Sequence, residues 1–325
     1  MKSLFLVVGL LALNGPAAAQ RRTEQVYFPG AFNWQFLRRY PEAARLFNAF
    51  DYGHAILYER LWSEPATAGK RLAGDFEFLT DDLLRHPPRF SIAEEAVMPS
   101  YARMVWRAKQ MFDWAHLLHR QIYDVYADER MLPARKDAMI ERLTDYYLGN
   151  RDLTFTANPK SMSLMEDAYY SQGFRRGFAE FNGLIWAYHW LQVGLYEPLI
   201  GAETPQSRKA GVDQTLRRFW SMLETRPSGF PALMPMTAAV APRFTARHPR
   251  AAAIFDNLHM MHDIISDILV SDRVPRALKG PTIEAALAEF RDGSKNVMST
   301  TEWLEMARTM GVARMGGVAW PPPTP

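Results

Sequence analysis

No cysteine occurs among the 325 residues. Disulfides, thiolate metal ligands and covalently attached c-type haem are therefore excluded, and packing alone must hold the fold. An excess of one charge is also missing, since 38 basic and 35 acidic side chains leave a formal +3. Near-neutrality argues against the clustered basic surface that phosphate backbones require, so no nucleic-acid partner is expected. No stretch alternates apolar and polar residues in the manner of half-buried strands, and there is no glycine-rich phosphate loop and no nucleophile elbow. Long low-complexity tracts are absent too. What remains is 48% hydrophobic and 13% aromatic, enough for a large core.

Residues 1–19 read as a signal peptide. Lys2 is the positive start, 3–13 the apolar stretch, and Ala17-Ala18-Ala19 the small-residue cleavage site before Gln20. A periplasmic or secreted protein is expected. Removing that leader, which carries one lysine and no acid, leaves 37 basic against 35 acidic side chains. Residues 181–200 approach the length of a membrane span. Asn182, His189, Gln192 and Glu197 within them are costly in hydrocarbon, however. A buried central helix is favoured over membrane association.

The helical period dominates the rest. Long helices are expected at 41–62, at 91–126 with a Ser91/Glu94 capping box, at 161–196 and at 249–271. Shorter ones are expected at 69–85, 134–148, 206–225, 282–291 and 302–310. Pro87-Pro88, Gly149-Asn150, Pro227-Ser228-Gly229 and Lys279-Gly280-Pro281 are turn signals. The expected fold is all-α: four related helical hairpins, each a long helix plus a short one, packed as a bundle or as a closed or curved repeat array. The domain would run over 20–313, with repeats near 36–88, 91–150, 160–226 and 245–310, followed by a flexible proline-rich tail at 314–325.

The repeat rests on one spaced pattern. Phe112-Asp113-x-x-His116-x-x-His119-x-x-x-x-Asp124 recurs with identical spacing as Phe255-Asp256-x-x-His259-x-x-His262-x-x-x-x-Asp267. A looser copy is Phe47-Asn48-x-x-Asp51-x-x-His54-x-x-x-x-Glu59. The last histidines of these copies lie 65 and 143 residues apart, and half of 143 falls close to His189. Four units of roughly 70 residues follow, the His189 copy being degenerate because Gly194 stands where its carboxylate belongs.

Residues three apart on a helix are about 60° apart around its axis, and residues eight apart about 80°. Each long helix thus offers a stripe of imidazoles and carboxylates. Several such stripes brought together give a nitrogen and oxygen ligand set suited to iron, zinc, manganese or copper, and too rich in nitrogen for calcium or magnesium. His119 and His262 are the leading ligand candidates with His54, then His116 and His259. Asp51, Glu59, Asp124 and Asp267 are candidate carboxylate ligands or partners that orient an imidazole. His86 and His248 lie outside the pattern.

His119/Asp124 and His262/Asp267 resemble one ligand pair of hemerythrin-like proteins, a four-helix class holding a di-iron centre. The resemblance covers those two short motifs, and the family's His-x-x-x-Glu and His-x-x-x-His pairs are absent. Asp51-x-x-His54, Asp113-x-x-His116 and Asp256-x-x-His259 are similar to the Glu-x-x-His of ferritin-like di-iron proteins, one methylene shorter. Both resemblances imply iron, and a di-metal oxidoreductase or dioxygen-handling protein. Two alternatives stand beside this reading. In one, the repeated Asp and His residues are structural ties in a non-catalytic scaffold or binding module. In the other, histidine pairs clamp a b-type haem near Trp186, Tyr188 and Trp190.

Overall fold

A computed structural model of the chain describes residues 34–320. The leader at 1–19 and the final prolines at 321–323 lie outside the described residues. Among the described residues every regular element is helical, with one isolated bridge between Lys160 and Val297. In chain order the α-helices are α1 (Gln35–Arg39), α2 (Pro41–Ser63), α3 (Ala68–Glu77), α4 (Pro99–Met104), α5 (Trp106–Ala127), α6 (Pro133–Gly149), α7 (Ser163–Glu166) and α8 (Gly173–Gly177). They continue with α9 (Ala179–Gly194), α10 (Tyr196–Gly201), α11 (Pro205–Glu224), α12 (Thr237–Val240), α13 (Pro242–Arg247), α14 (Pro249–Val270), α15 (Arg276–Arg291) and α16 (Thr300–Met310).

Proline opens many of them, α2, α4, α6, α11, α13 and α14 among them, because its fixed φ suits the first helical turn and its missing N–H is not needed there. Two expected boundaries are corrected, the first by this preference. Pro99 starts a separate α4 instead of lying inside a helix from Ser91, so α5 begins only at Trp106 and Glu94 belongs to a 3-10 turn. The expected helix at 161–196 is three pieces, broken where Gln172 takes a left-handed φ of 63° and again at Phe178. Lys279-Gly280-Pro281 is not a turn either, for Pro281 lies near the start of α15.

Among the described residues one local construction occurs four times. A helix of five or six residues meets a long helix through a single joint residue. The joints are Tyr40 (φ −130°, ψ 60°), Val105 (−137°, 64°), Phe178 (−138°, 50°) and His248 (−132°, 61°). Each joint N–H donates to the carbonyl of an aromatic residue four back, respectively Phe36, Tyr101, Phe174 and Phe244, at 2.8–3.1 Å. All four aromatic residues are buried. The chain therefore turns onto α2, α5, α9 and α14 in the same way each time.

These four long helices form the centre. From Phe181 to Gly194, α9 is buried on every face, as a helix apolar all round requires. No described helix is long and apolar enough to cross a membrane. The stretch at 181–200 is instead interrupted after Gly194, where a Cβ would come within 2.8 Å of the Ala319 methyl. Ala319 belongs to a segment expected in the flexible tail. Residues 314–320 are in fact packed, Trp190 Nε1 donating to the Gly317 carbonyl at 2.9 Å and the Ala319 N–H to the Val240 carbonyl at 3.1 Å.

Candidate metal centre

Six of the eight histidines meet in the middle of the protein. His54 comes from α2, His116 and His119 from α5, His189 from α9, and His259 and His262 from α14, all of them buried. The phenylalanines of the repeated pattern seat these rings. Phe255 stacks on His119 at 3.4 Å between centroids, Phe112 meets His262 edge-on at 4.3 Å, and Phe47 lies 5.7 Å from both His116 and His119. The two remaining histidines have other employment. His86 is exposed beside Asp82, and His248 is the joint before α14, facing Glu141 and Asp137.

Three rings converge at one point. His54 Nε2 is 3.2 Å from His189 Nε2, and His262 Nδ1 is 3.0 Å from that same atom. One nitrogen from each ring lies within 4.8 Å of the other two. Ligands bound at about 2.05 Å are about 3.3 Å apart across a tetrahedral angle and about 2.9 Å apart across a right angle. The two measured separations fall between those limits. His54 Nδ1 is 3.0 Å from the Phe50 carbonyl, which only accepts, so in the neutral ring the proton is on Nδ1 and a lone pair on Nε2 faces its neighbours.

The neutral form is the one present. Burial pushes the His54 imidazole down to about 4 and His259 to about 3, from an ordinary 6.5. Burial, reinforced by neighbouring histidines, holds His116, His119, His189 and His262 well below it. Neutral imidazole is what a metal binds. The rings pack directly on one another, His54 on His262 at 4.2 Å and His189 on His259 at 4.1 Å. That leaves no slot between them for a porphyrin. His119 Nδ1 pairs with the Tyr196 hydroxyl at 2.7 Å, while His259 has neither nitrogen hydrogen-bonded. These two do not join the three-ring point.

A second group lies alongside. One ligand atom from each of Asp51, Glu94 and His116 lies within 4.8 Å of the other two. The His116 ring is 6.3 Å from His54 and 5.7 Å from His262. Burial raises Glu94 well above the carboxylate range, with Asp113 and Asp51 adding repulsion. Burial also raises Asp51, against the opposing pull of Arg120.

Glu59, Asp124 and Asp267 turn away from the histidines. Asp124 Oδ1 accepts from Phe36 N–H at 2.9 Å, and Glu59 Oε2 from Ser100 and Tyr101 N–H at 3.0 Å each. Asp267 accepts from Gln172 and Phe174 N–H at 2.8 Å each. These are the starts of α1, α4 and α8, whose first N–H groups have no partner within the helix. Glu197 does the same for α13, taking Arg243 and Phe244 N–H at 2.7 and 3.2 Å. The carboxylates thus cross: α2 caps α4 and α5 caps α1, while α14 caps α8 and α10 caps α13. The hemerythrin-like pairs are not formed, because backbone donors hold their carboxylates. Asp113 and Asp256 are engaged elsewhere as well, by Lys109 and by Thr237 N–H with Trp303 Nε1. Of the four carboxylates proposed from spacing, only Asp51 stays beside an imidazole, 3.4 Å from His116.

Two participants were not ranked from the sequence. Glu94 reads there as a cap, and its position on a 3-10 turn is set by Pro99, which ends the apparent long helix early. Glu197 sits three residues beyond the expected position because α9 ends at Gly194. His189, reached only by halving an interval, is the nitrogen that links the other two rings. The chain matches no protein-family model, no curated protein and no solved structure.

Proposed function

We propose that this is an exported transition-metal protein with a centre at His54, His189 and His262, of the oxidoreductase or dioxygen-handling kind. One observation carries the reading: three neutral imidazoles from three helices aim nitrogens at one point, at separations matching a shared ion. Sulfur-free, nitrogen-rich ligation favours iron, zinc or copper(II) over magnesium or calcium. Three protein ligands also leave coordination positions for a small exogenous molecule, the condition for reactivity. Export is supported by residues 1–19, and descent from four related hairpins by the shared joints and the spacing of the histidines.

The test is metal analysis of the mature chain, purified without a histidine tag and reconstituted separately with each metal. His189→Ala should lose the ion bound at this centre while His86→Ala keeps it, with helix content unchanged in both. Equal metal content in wild type, His189→Ala and His86→Ala would refute the centre.

A further inference from the structure

The group beside the three-histidine point forms the floor of a pocket of its own. A solvent-connected space of about 140 Å³, lined by Asp51, Glu94, Lys109, Asp113, His116 and Arg120 among others, holds several waters or a small ligand. Four carboxyl side chains, Asp51, Glu94, Glu95 and Asp113, line it beside the two cations Lys109 and Arg120. Both cations are already committed. Lys109 Nζ lies 2.6 Å from Glu95 and 2.6 Å from Asp113, and Arg120 Nη2 lies 2.7 Å from Asp51 Oδ2. No ion pair reaches Glu94 among the described residues.

The unpaired atoms belong to residues that line this space. His116 is 3% exposed, and neither of its nitrogens has a hydrogen-bond partner. Asp51 is 4% exposed, and its Oδ1 is likewise unpartnered, because its 3.4 Å approach to His116 Nδ1 lacks hydrogen-bond geometry. Arg120 fixes Asp51 through Oδ2 and so presents Oδ1. A buried imidazole and carboxylate without partners are costly unless something fills the position. A divalent cation accepts a lone pair from each of the three, whose ligand atoms lie within 4.8 Å of one another.

We propose that Asp51, Glu94 and His116 form a second divalent-cation site, reached from solvent through this pocket. Two oxygens and one nitrogen suit manganese, iron(II) or zinc. Asp51 and His54 are three residues apart on α2, so one face of one helix serves both groups. The site stands on its own residues and does not require the three-histidine centre to be loaded.

Metal-stripped, untagged mature protein is equilibrated with Zn2+ and, separately, with Mn2+, and bound metal per chain is counted after dialysis. Two zinc ions per wild-type chain are expected, falling to one in Glu94→Gln and to one in His189→Ala. The manganese signal in electron paramagnetic resonance should be lost in Glu94→Gln and kept in His189→Ala. Circular dichroism checks the fold, and His116→Asn replaces Glu94→Gln if that variant unfolds. Wild type binding one zinc that is lost in His189→Ala and kept in Glu94→Gln overturns this inference and leaves the three-histidine centre standing. One zinc lost in Glu94→Gln and kept in His189→Ala supports it and overturns that centre instead. Two ions retained in both Glu94→Gln and His116→Asn also overturn it.

Discussion

Asp267→Ala separates a cap from a ligand. The carboxylate accepts two backbone hydrogen bonds at 2.8 Å, from Gln172 and Phe174, and so fixes the first turn of α8. Phe174 is buried, so its N–H finds no water when the acceptor is removed, whereas the half-buried Gln172 recovers part of its loss from solvent. An unsatisfied buried donor costs about 1–3 kcal/mol. Taking the upper part of that range for Phe174 and the lower for Gln172 gives about 3 kcal/mol. For a chain of this size 1 kcal/mol moves Tm by about 2 °C, so Asp267→Ala should melt about 6 °C lower. Asp267→Asn keeps one acceptor and should lose about half as much. Metal content should equal that of wild type in both variants, because the carboxylate faces α8 and not the imidazoles. Calorimetric melting alongside metal analysis decides the matter. A Tm shift below 1 °C together with a lost metal ion would refute the reasoning.

Chelation of the loaded protein should lower Tm by about 5 °C when free metal had been held near 100-fold above Kd, which corresponds to about 2.7 kcal/mol; an unchanged melting curve would contradict binding to the native state. His259→Phe keeps the ring stacked on His189 and removes two unpartnered nitrogens. Because burial depresses His259 to about 3, the unfolded chain takes up that proton first. Stability is therefore present above pH 6.5 and lost as pH falls towards 3, by up to roughly 4 kcal/mol. In urea titrations of metal-free protein at pH 7.5 and pH 4, the variant should lose less stability than wild type, and parallel losses would count against the idea. Gly194→Val places a side chain against Ala319 and should cost about 1–3 kcal/mol by overpacking. Its signature is faster amide exchange at Ala319, and unchanged protection there would argue against close packing.

The helix class and the inward face were legible because both depend on local periodicity. Phe47, Phe112 and Phe255 pack the histidines as a shared stripe predicts. The fate of the carboxylates was not legible. Asp124 and Asp267 stand on the expected helices, yet their partners are N–H groups 88 and 93–95 residues away, and spacing within one helix carries no information about that distance. Helix boundaries failed for a related reason: the apolar rhythm runs through Val105 and Phe178 without interruption, while the joints are decided by which aromatic residue anchors the preceding turn. His189 was recoverable from the spacing of the other histidines, but its role as the link between His54 and His262 requires three helices to be in place.

The crossed carboxylates also set the order in which the chain can be completed. Glu59 and Asp124 serve each other's neighbouring turns, and both are present once synthesis has passed residue 124. Glu197 and Asp267 do the same for the remainder, which stays unfinished until residue 267 has been made. A nascent chain can therefore close its first portion early and its second only late. His54 waits on the early side while His189 and His262 arrive on the other. An ion that needs all three can be captured only after both portions exist and have met, so a truncated or stalled product cannot assemble the three-histidine centre, whereas Asp51, Glu94 and His116 all precede residue 124.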